Sequence, residues 1–338
     1  MPTVMADRPD ELRRWLSERT DLTGALRTSR IGYGQSNITS LVQDEGGASW
    51  ILREPPPGSH DPSAHNVLRE VRILRALANT GLPLPTVVGA GKSEPFYVMT
   101  RMEGAPLESE EDAAKISADE RFALGQQAIS VFAHLHSIDP AAVGLDDLGP
   151  HTEYLPRQMR RAIKSWSNWG AESTHDRAWN QVRSLLELDV PSQQRLVVTH
   201  GDFRLSNLLI DGARITAVLD WELATLGDPL ADLAWLLDDW RSPSDRKISM
   251  PSPTRAGGFA TRAQLVDQYS AETGFDVGRI GYYRAFTHWL AATLLQGVLL
   301  RRRSGAMGDH GSLDLEELDQ TIGFLLEEAV DLVQGAGV

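Results

Sequence analysis

The spacing of the apolar residues changes near residue 103, from short runs separated by turn residues to a helical repeat. In the first part, Leu12, Trp15 and Leu16 share one helix face and predict an amphipathic helix at 9–19. A second amphipathic helix is predicted at 64–79. Short strands are predicted twice within 29–42, then at 49–53, 86–90 and 96–102.

From the Gly-Ala-Pro segment at 104–106 onwards, the pattern predicts a mainly helical chain. Ser117 and Glu120 have the spacing of a capping box at the start of a helix. Further helices are predicted at 153–170, from Pro229 onwards, and at 261–273, 277–303 and 313–334. Because 338 residues are many for a single core, we predict two lobes, at 1–103 and 104–338.

One stretch in the helical part has a strand pattern. Val197–Thr199 is a short apolar strand, followed by a loop with His200, Asp202 and Asn207. Next comes a predicted hairpin, with strands at 208–210 and 215–219 and the turn at Asp211-Gly212. Since Asn207 and Asp220 then lie at neighbouring ends of paired strands, we expect both side chains close to Asp202.

Two carboxylates and a carboxamide in one place form an oxygen-rich site that suits Mg²⁺. Such a site can direct a phosphoryl group onto a hydroxyl, with one carboxylate acting on the hydroxyl and the other ligands holding the metal. The alternative is a surface loop rich in polar turn residues. The coincidence of spacing, hairpin and second carboxylate favours the functional interpretation.

The motif H-G-D-x-x-x-x-N, followed by L-D-W, resembles the catalytic and metal-binding loops of the aminoglycoside phosphotransferase and choline kinase group. The resemblance implies an α+β, bilobal protein-kinase-like fold, with an antiparallel sheet in the small lobe. It also implies ATP or GTP and Mg²⁺ as cofactors. The resemblance further implies that Asp202 takes the proton of the acceptor hydroxyl. It implies that His200 supports the loop through hydrogen bonds, and that Asn207 and Asp220 bind the metal.

The same resemblance assigns nucleotide-binding roles in the first lobe. Gly34, Ser36 and Asn37 suit a loop that covers phosphates, although an ordinary hairpin turn is the alternative. Arg53 stands where this fold usually has a phosphate-binding Lys, and Glu70 is its expected partner, unless Glu70 is a solvated helix residue. The peptide groups around Thr100 and Met102 are expected to pair with adenine.

The acceptor is less well defined by the sequence. One face of the predicted helix 153–170 is basic and consists of Arg157, Arg160, Arg161 and Lys164. The default interpretation of such a face is a solvated stripe. The motifs G-x-G-Q-S-N, I-L-R-x-P-P-P-G and Y-L-x-R-Q-x-R-R are similar to kinase-like domains fused to acyl-CoA dehydrogenases in some eukaryotes, and to their bacterial free-standing relatives. This branch implies a hydroxyacyl-CoA-like anion, bound by Arg157 and Arg161. An aminoglycoside acceptor and a catalytically inactive pseudokinase remain alternatives.

Composition narrows the class further. A net charge of −13 argues against a general nucleic-acid binder, and no apolar run is long enough for a membrane span. The chain has no cysteine, which fits a cytoplasmic protein. His134 and His136 are interpreted as packing or capping residues, and Asp228 and Asp232 as helix-capping residues. We expect 241–258, rich in Ser, Pro and Gly, to be a mobile loop or an acceptor lid.

Overall fold

The computed structural model describes residues 4–31, 37–56, 67–91, 94–170, 173–305 and 314–335. Its first part contains a five-stranded antiparallel sheet of order β1-β2-β3-β5-β4. The strands are β1 (Leu26–Arg30), β2 (Ile38–Asp44), β3 (Ser49–Glu54), β4 (Val87–Ala90) and β5 (Tyr97–Thr100). The predicted strands and the α+β fold class are confirmed.

Helices cover both faces of this sheet. Alternate residues of β3 point to opposite faces. Trp50 and Leu52 pack in one core with α1 (Pro9–Ser17), whose Leu12 and Leu16 are fully buried. The other face of the sheet carries Arg53 and faces α2 (Val67–Leu77). The pattern of the strand therefore places its one basic side chain on the inner face.

The second part is mainly helical, and most of its buried hydrophobic residues join one large core. Its helices are α3 (Glu110–Ala114), α4 (Ala118–Ser137), α5 (Tyr154–Trp169), α6 (Asp176–Leu188), α7 (Pro229–Asp239), α8 (Arg262–Thr273), α9 (Ile280–Arg303) and α10 (Leu315–Val333). The capping box of Ser117 and Glu120 is confirmed at the start of α4. Within the described ranges, no helix combines the length and apolar character needed to cross a bilayer.

Two small antiparallel ladders lie among these helices. Strand β6 (Val197–Thr199) pairs with β9 (Thr225–Gly227), and β7 (Leu208–Asp211) pairs with β8 (Arg214–Val218). The predicted hairpin exists, but its turn was wrong by one residue. Asp211 pairs with Arg214, so Gly212 and Ala213 form the turn, and a shift in register after Leu209 absorbs the difference.

The two parts meet at the hairpin. Ala105 and Ile210 exchange two backbone hydrogen bonds, of 2.9 and 3.0 Å. Gly104 has a φ of +105°, and a Cβ there would lie 2.7 Å from the carbonyl oxygen of Ile210. Glycine is thus required where the chain leaves the sheet. The lobe boundary at 103/104 lies beside this contact and stays a prediction.

Candidate active site

The loop that follows β6 is fixed by the first turn of α7. The carboxylate of Asp232 accepts hydrogen bonds from the backbone N–H groups of His200 at 2.7 Å and Gly201 at 2.9 Å. Gly201 has a φ of +83°, and a Cβ there would lie 2.9 Å from the carbonyl oxygen of Leu223. The His-Gly-Asp sequence is therefore held by its backbone, and the side chain of Asp202 takes no part in these contacts.

His200 is fully buried and supports the loop from inside. Its Nε2 lies 2.9 Å from the carbonyl oxygen of Leu219, and its Nδ1 accepts from the backbone N–H of Asp202 at 3.3 Å. Burial lowers the pKa of His200, although the negative charge of Asp232 opposes this shift. These contacts fit a neutral ring protonated on Nε2, which links the loop to the hairpin.

Asp202 and Asn207 are in direct contact, as the spacing predicts. The Nδ2 of Asn207 donates to Oδ2 of Asp202 at 2.8 Å and to its backbone carbonyl at 2.8 Å. Burial raises the pKa of Asp202 to about 6, although the charge of Arg204 opposes this shift. A carboxylate with a pKa near neutrality is suited to accept a proton in a reaction.

Asp220 lies at the end of β8 in an unusual backbone conformation. It is the one non-glycine residue of the described ranges with positive φ, at 62°. Such strain concentrates at functional sites, and Asp tolerates it better than most residues. The Oδ1 of Asp220 accepts from Nη2 of Arg53 at 3.1 Å.

The predicted pairing of Arg53 with Glu70 is present in the structure. The Nε of Arg53 lies 3.4 Å from Oε2 of Glu70, and both side chains are buried. Burial disfavours the charged form of Arg53, but Glu70, Tyr97 and Asp220 outweigh it and raise its pKa. The guanidinium is therefore positively charged at every accessible pH.

Glu70 of α2 also binds one residue just before β2 and one residue of β5. It accepts from Nδ2 of Asn37 at 3.0 Å and from the hydroxyl of Tyr97 at 2.8 Å. Gly34 and Ser36, the other two residues predicted to cover phosphates, lie outside the described residues. Asn37 is thus the one member of that predicted loop whose position can be stated.

A residue that the sequence analysis missed completes this acidic group. Single carboxylate oxygens of Glu70, Asp220 and Glu222 all lie within 4.8 Å of one another. The amide nitrogen of Asn207 donates to Asp202, so the amide oxygen is the end left to bind a cation. Oxygen ligands of this kind fit Mg²⁺. The signal for Glu222 was its position two residues after Asp220.

Glu70, Asn207 and Asp220 line an interlobe cleft of about 480 Å³. The polar side of the cleft contains Arg53, Glu70, Asn207 and Asp220, and its far end contains Thr100 and Met102. Within the described residues, Arg101 and Met102 make no hydrogen bond to other backbone groups. Backbone donors and acceptors are thus available beside an apolar wall, which suits a planar heterocycle.

Two more cavities lie on the other side of the Asp202 loop. The Asp202 cavity, of about 100 Å³, is lined by Asp202, Arg204, Asp238, Asp239 and Met250, among others. The lateral cavity, of about 450 Å³, is lined by Tyr154, Arg161, Leu223, Phe286 and Leu290, among others. Trp235 and Thr287 line both cavities. Asp202 therefore lines the smaller of these two cavities and contacts Asn207, which lines the interlobe cleft.

The loop 241–258 borders the Asp202 cavity. Ser252 donates to the carbonyl oxygen of Asp239 at 2.6 Å, and Thr254 donates to that of Arg241 at 2.7 Å. Both side chains are buried. The loop is thus packed against α7 at the place expected for a lid, and the lid role stays a prediction.

The basic face of α5 divides into residues with different contacts. The Nη1 of Arg157 donates to the carbonyl oxygens of Pro150 at 3.3 Å and Thr152 at 2.8 Å. Arg161 is exposed and lines the lateral cavity, which Arg157 does not. The structure thus brings one of the two predicted acceptor-binding arginines to a cavity.

Asp232 was interpreted as a capping residue, and no local sequence pattern indicated its contacts with the His200 loop. It is also 3.2 Å from Nε2 of His136, whose Nδ1 lies 2.6 Å from the hydroxyl of Tyr269. His136 is fully buried, as a packing histidine should be. These three residues form a buried support behind the loop.

A small lobe with an antiparallel sheet, a helical lobe and a polar site between them define a kinase-like fold of the kind that phosphorylates small molecules. The family model named APH, the phosphotransferase enzyme family, matches residues 27–280. The chain belongs to this family, and the predicted family and the predicted enzyme class, a phosphotransferase, are confirmed.

Individual relatives agree with this assignment. Mouse acyl-CoA dehydrogenase family member 10 is 33% identical over 316 residues, which cover 89% of this chain and 29% of that protein. Rat acyl-CoA dehydrogenase family member 11 is 30% identical, with 93% of this chain and 41% of that protein covered. The chain thus spans less than half the length of these two relatives. Hygromycin-B 4-O-kinase of Escherichia coli is 25% identical, with coverages of 66% and 67%.

Solved structures show the same fold. A protein of Ralstonia eutropha, provisionally assigned as an aminoglycoside phosphotransferase, is 26% identical with a TM-score of 0.80, over 97% of this chain and 99% of that one. The ternary complex of an aminoglycoside phosphotransferase with AMP-PNP and hygromycin B has a TM-score of 0.61 at 18% identity, with coverages of 96% and 99%. The second likeness concerns the fold alone.

Proposed function

We propose that this protein transfers the γ-phosphoryl group of ATP or GTP to a hydroxyl of a small molecule, in a reaction that requires Mg²⁺. The observation that carries the proposal is the position of Asp202. Its carboxylate contacts Asn207, which lines the interlobe cleft, and itself lines the cavity on the other side of the loop. A phosphoryl group passing between the two spaces would meet it.

In this mechanism the acceptor oxygen forms a bond to the γ-phosphorus, and the bond from that phosphorus to the β,γ-bridging oxygen breaks. The nucleoside diphosphate leaves with the electron pair of the broken bond. Asp202 accepts the proton of the hydroxyl, for which its raised pKa is suited. His200 and Asp232 keep the loop in place, and Asn207 fixes the direction of the carboxylate.

Asn207 and Asp220 would hold the metal, with Glu222 as a further oxygen donor close to Asp220. When bound, Mg²⁺ neutralises phosphate charge and orients the phosphates. The site fits such an ion because three carboxylates surround a single guanidinium, Arg53, and the excess negative charge needs a cation.

In the proposed nucleotide-binding lobe, 1–103, Arg53 binds phosphate oxygens and Glu70 holds its guanidinium in place. Arginine can make the paired hydrogen bonds that phosphate accepts. Gly34, Ser36 and Asn37 would cover the phosphates, and the peptide groups at Thr100 and Met102 would pair with the base. The lobe 104–338 would supply catalysis and bind the acceptor.

For the acceptor, we favour an anion with an apolar body, such as a hydroxyacyl-CoA. Arg161 lies at the lateral cavity, whose lining includes Phe286, Leu290 and Leu294. Two relatives are acyl-CoA dehydrogenase family members. An aminoglycoside is the second candidate, because Asp238 and Asp239 line the Asp202 cavity and a relative is a hygromycin-B kinase. A pseudokinase is disfavoured by the contact of Asp202 with Asn207 and by Asp220.

The test is release of ADP from Mg-ATP, followed with a panel of hydroxylated acyl-CoAs, other hydroxylated metabolites and aminoglycosides, with and without Mg²⁺. We expect Mg²⁺-dependent turnover that one class of acceptor stimulates. In Asp202→Asn, turnover should fall by about 10²- to 10⁴-fold while nucleotide affinity is retained, because the amide cannot take the proton. Equal turnover in this variant and the parent would remove Asp202 from the mechanism.

A further inference from the structure

Arg204 follows Asp202 by two residues and lines the same cavity. Its Nη2 forms an ion pair with Oδ1 of Asp239 at 3.4 Å, longer than the roughly 2.7–3.2 Å typical of a strong N–H···O hydrogen bond. Its Nε is buried and has no hydrogen-bond partner within the described residues. A guanidinium has five N–H donors, so most of the hydrogen-bonding capacity of Arg204 is unused in the described part of the chain.

Other cations of the Asp202 cavity have different surroundings. Arg241 donates to the carbonyl oxygen of Arg246 at 3.1 Å and to Glu328 at 3.2 Å. His288 lies between Asp238 at 3.1 Å and Glu328 at 3.0 Å. Because these two groups already have carboxylate partners at hydrogen-bonding distance, they are poorly placed to bind a further anion. Arg204 differs from both in this respect.

The position of Arg204 complements that of Arg53. Arg53 lies in the interlobe cleft, with Asp220 and Glu70 beside it. Arg204 lies in the Asp202 cavity, with Asp239 beside it. Asp202 and Asn207 stand between the two spaces. A phosphoryl group that crosses from one to the other leaves the side of the first cation and approaches the side of the second.

We propose that Arg204 is a catalytic residue that neutralises the phosphoryl group during its transfer from the interlobe cleft towards the Asp202 cavity. This role rests on the proposed function, since it requires a nucleotide in the cleft. The transferred group carries its charge on three oxygens, and a planar guanidinium can donate to two of them at once. Its single long ion pair with Asp239 is weak enough to be exchanged for phosphate contacts.

The test compares Arg204→Gln and Arg204→Lys with the parent, and uses Arg214→Gln as a control. Arg214 is an exposed arginine at the start of β8, and it lines none of the cavities described above. One measurement is hydrolysis of Mg-ATP without acceptor, in which water takes the phosphoryl group. The other is affinity for Mg-ADP alone and with aluminium fluoride, a mimic of the phosphoryl group in transfer.

In Arg204→Gln, we expect hydrolysis to fall by about 100-fold, the typical effect of losing one donor to developing charge. Affinity for Mg-ADP should be unchanged, and the gain in affinity from aluminium fluoride should be lost. Arg204→Lys should recover part of both, because it restores the charge without the planar fork. The control should match the parent.

Parental hydrolysis and a parental aluminium fluoride effect in Arg204→Gln would overturn the role. An equal loss of affinity for Mg-ADP with and without aluminium fluoride would also overturn it, since a structural change or ground-state binding would then account for the data. A parent that neither hydrolyses ATP nor gains affinity from aluminium fluoride would contradict the proposed function itself. Failure of the role and failure of the function thus give different results.

Discussion

The two sides of Asp202 use buried charge in different ways. On the side of the interlobe cleft, Arg53 is close to three carboxylates, so the cluster has an excess of negative charge. On the side of the Asp202 cavity, opposite charges are paired. Asp238 lies 3.0 Å from Arg284 and 3.1 Å from His288. Burial alone would raise the pKa of Asp238, but these two neighbours outweigh burial and lower it.

This difference has a physical consequence for what each side can bind. A cluster with unbalanced charge gains when a cation and phosphates complete it. Charges that already satisfy one another are costly to separate, because each would be left buried without a partner. We infer that the cleft selects its ligand by charge, and that the cavities select theirs mainly by shape and apolar contact, with Arg204 and Arg161 as the cations left to contribute.

Apart from the loss of turnover expected in Asp202→Asn, the largest effect is expected on the charged side. Asp220→Asn should abolish most of the stabilisation that Mg²⁺ adds to bound ATP, because the amide lacks the charge that holds the ion. Asn tolerates the positive φ at this position, so the fold should be retained. If nucleotide affinity falls about 100-fold, about 2.7 kcal/mol of ligand-dependent stability is lost. Thermal unfolding with ATP, with and without Mg²⁺, measures this increment.

The matched variant is Glu222→Gln, which removes the neighbouring carboxylate two residues later. In this variant the stabilisation that Mg²⁺ adds to bound ATP should be reduced less, since Asp220 would remain as the main charged ligand. For each variant, the quantity to compare is the difference in thermal stability between ATP with Mg²⁺ and ATP without Mg²⁺. This difference is used because each substitution also alters the surroundings of Arg53. An undiminished increment in Asp220→Asn would place the metal elsewhere.

The charged side could largely be predicted from the sequence. Asp202, Asn207 and Asp220 lie within 19 residues, and a hairpin with apolar strands brings their ends together by local pairing alone. The pairing of Arg53 with Glu70 needed only a strand with one inward basic residue and an amphipathic helix. In such cases alternation and helical spacing determine which side chains meet.

The other side could not be predicted because its contacts join distant parts of the chain. Asp232 follows a capping signature at the start of α7, and nothing local shows that its carboxylate binds the His200 loop. The division of the basic face depends on how Pro150 and Thr152 approach Arg157. The turn after Asp211 was misplaced because a bulge leaves the apolar pattern nearly unchanged.

The next effect concerns the boundary between the two sides. Burial raises the pKa of Asp202 to about 6, so the carboxylate is a competent base above that pH and is progressively protonated below it. We expect kcat/KM to fall about tenfold for each pH unit below 6. Binding of Mg-ATP over the same pH range serves as the control for titration of the nucleotide. If kcat/KM instead began to fall only near pH 4, burial would not raise the pKa of Asp202 in the free enzyme.

The smallest effect is expected on the acceptor side, at the basic face of α5. Arg161 lines the lateral cavity and is exposed, whereas Arg157 donates to backbone carbonyls of the preceding loop. For an anionic acceptor, Arg161→Ala should raise the acceptor KM by about fivefold, the effect of an exposed charge pair, and leave the nucleotide KM unchanged.

Arg157→Ala is the matched control on the same helix. It should change thermal stability more than acceptor KM, because it removes the donor to Pro150 and Thr152 and contributes nothing to the cavity lining. Added salt should weaken acceptor binding in the parent and much less in Arg161→Ala, since the lost contact is partly solvated. A polycationic acceptor gives the opposite sign, because removing Arg161 then relieves repulsion and lowers KM. The direction of the change in KM therefore decides between an acyl-CoA-like acceptor and an aminoglycoside.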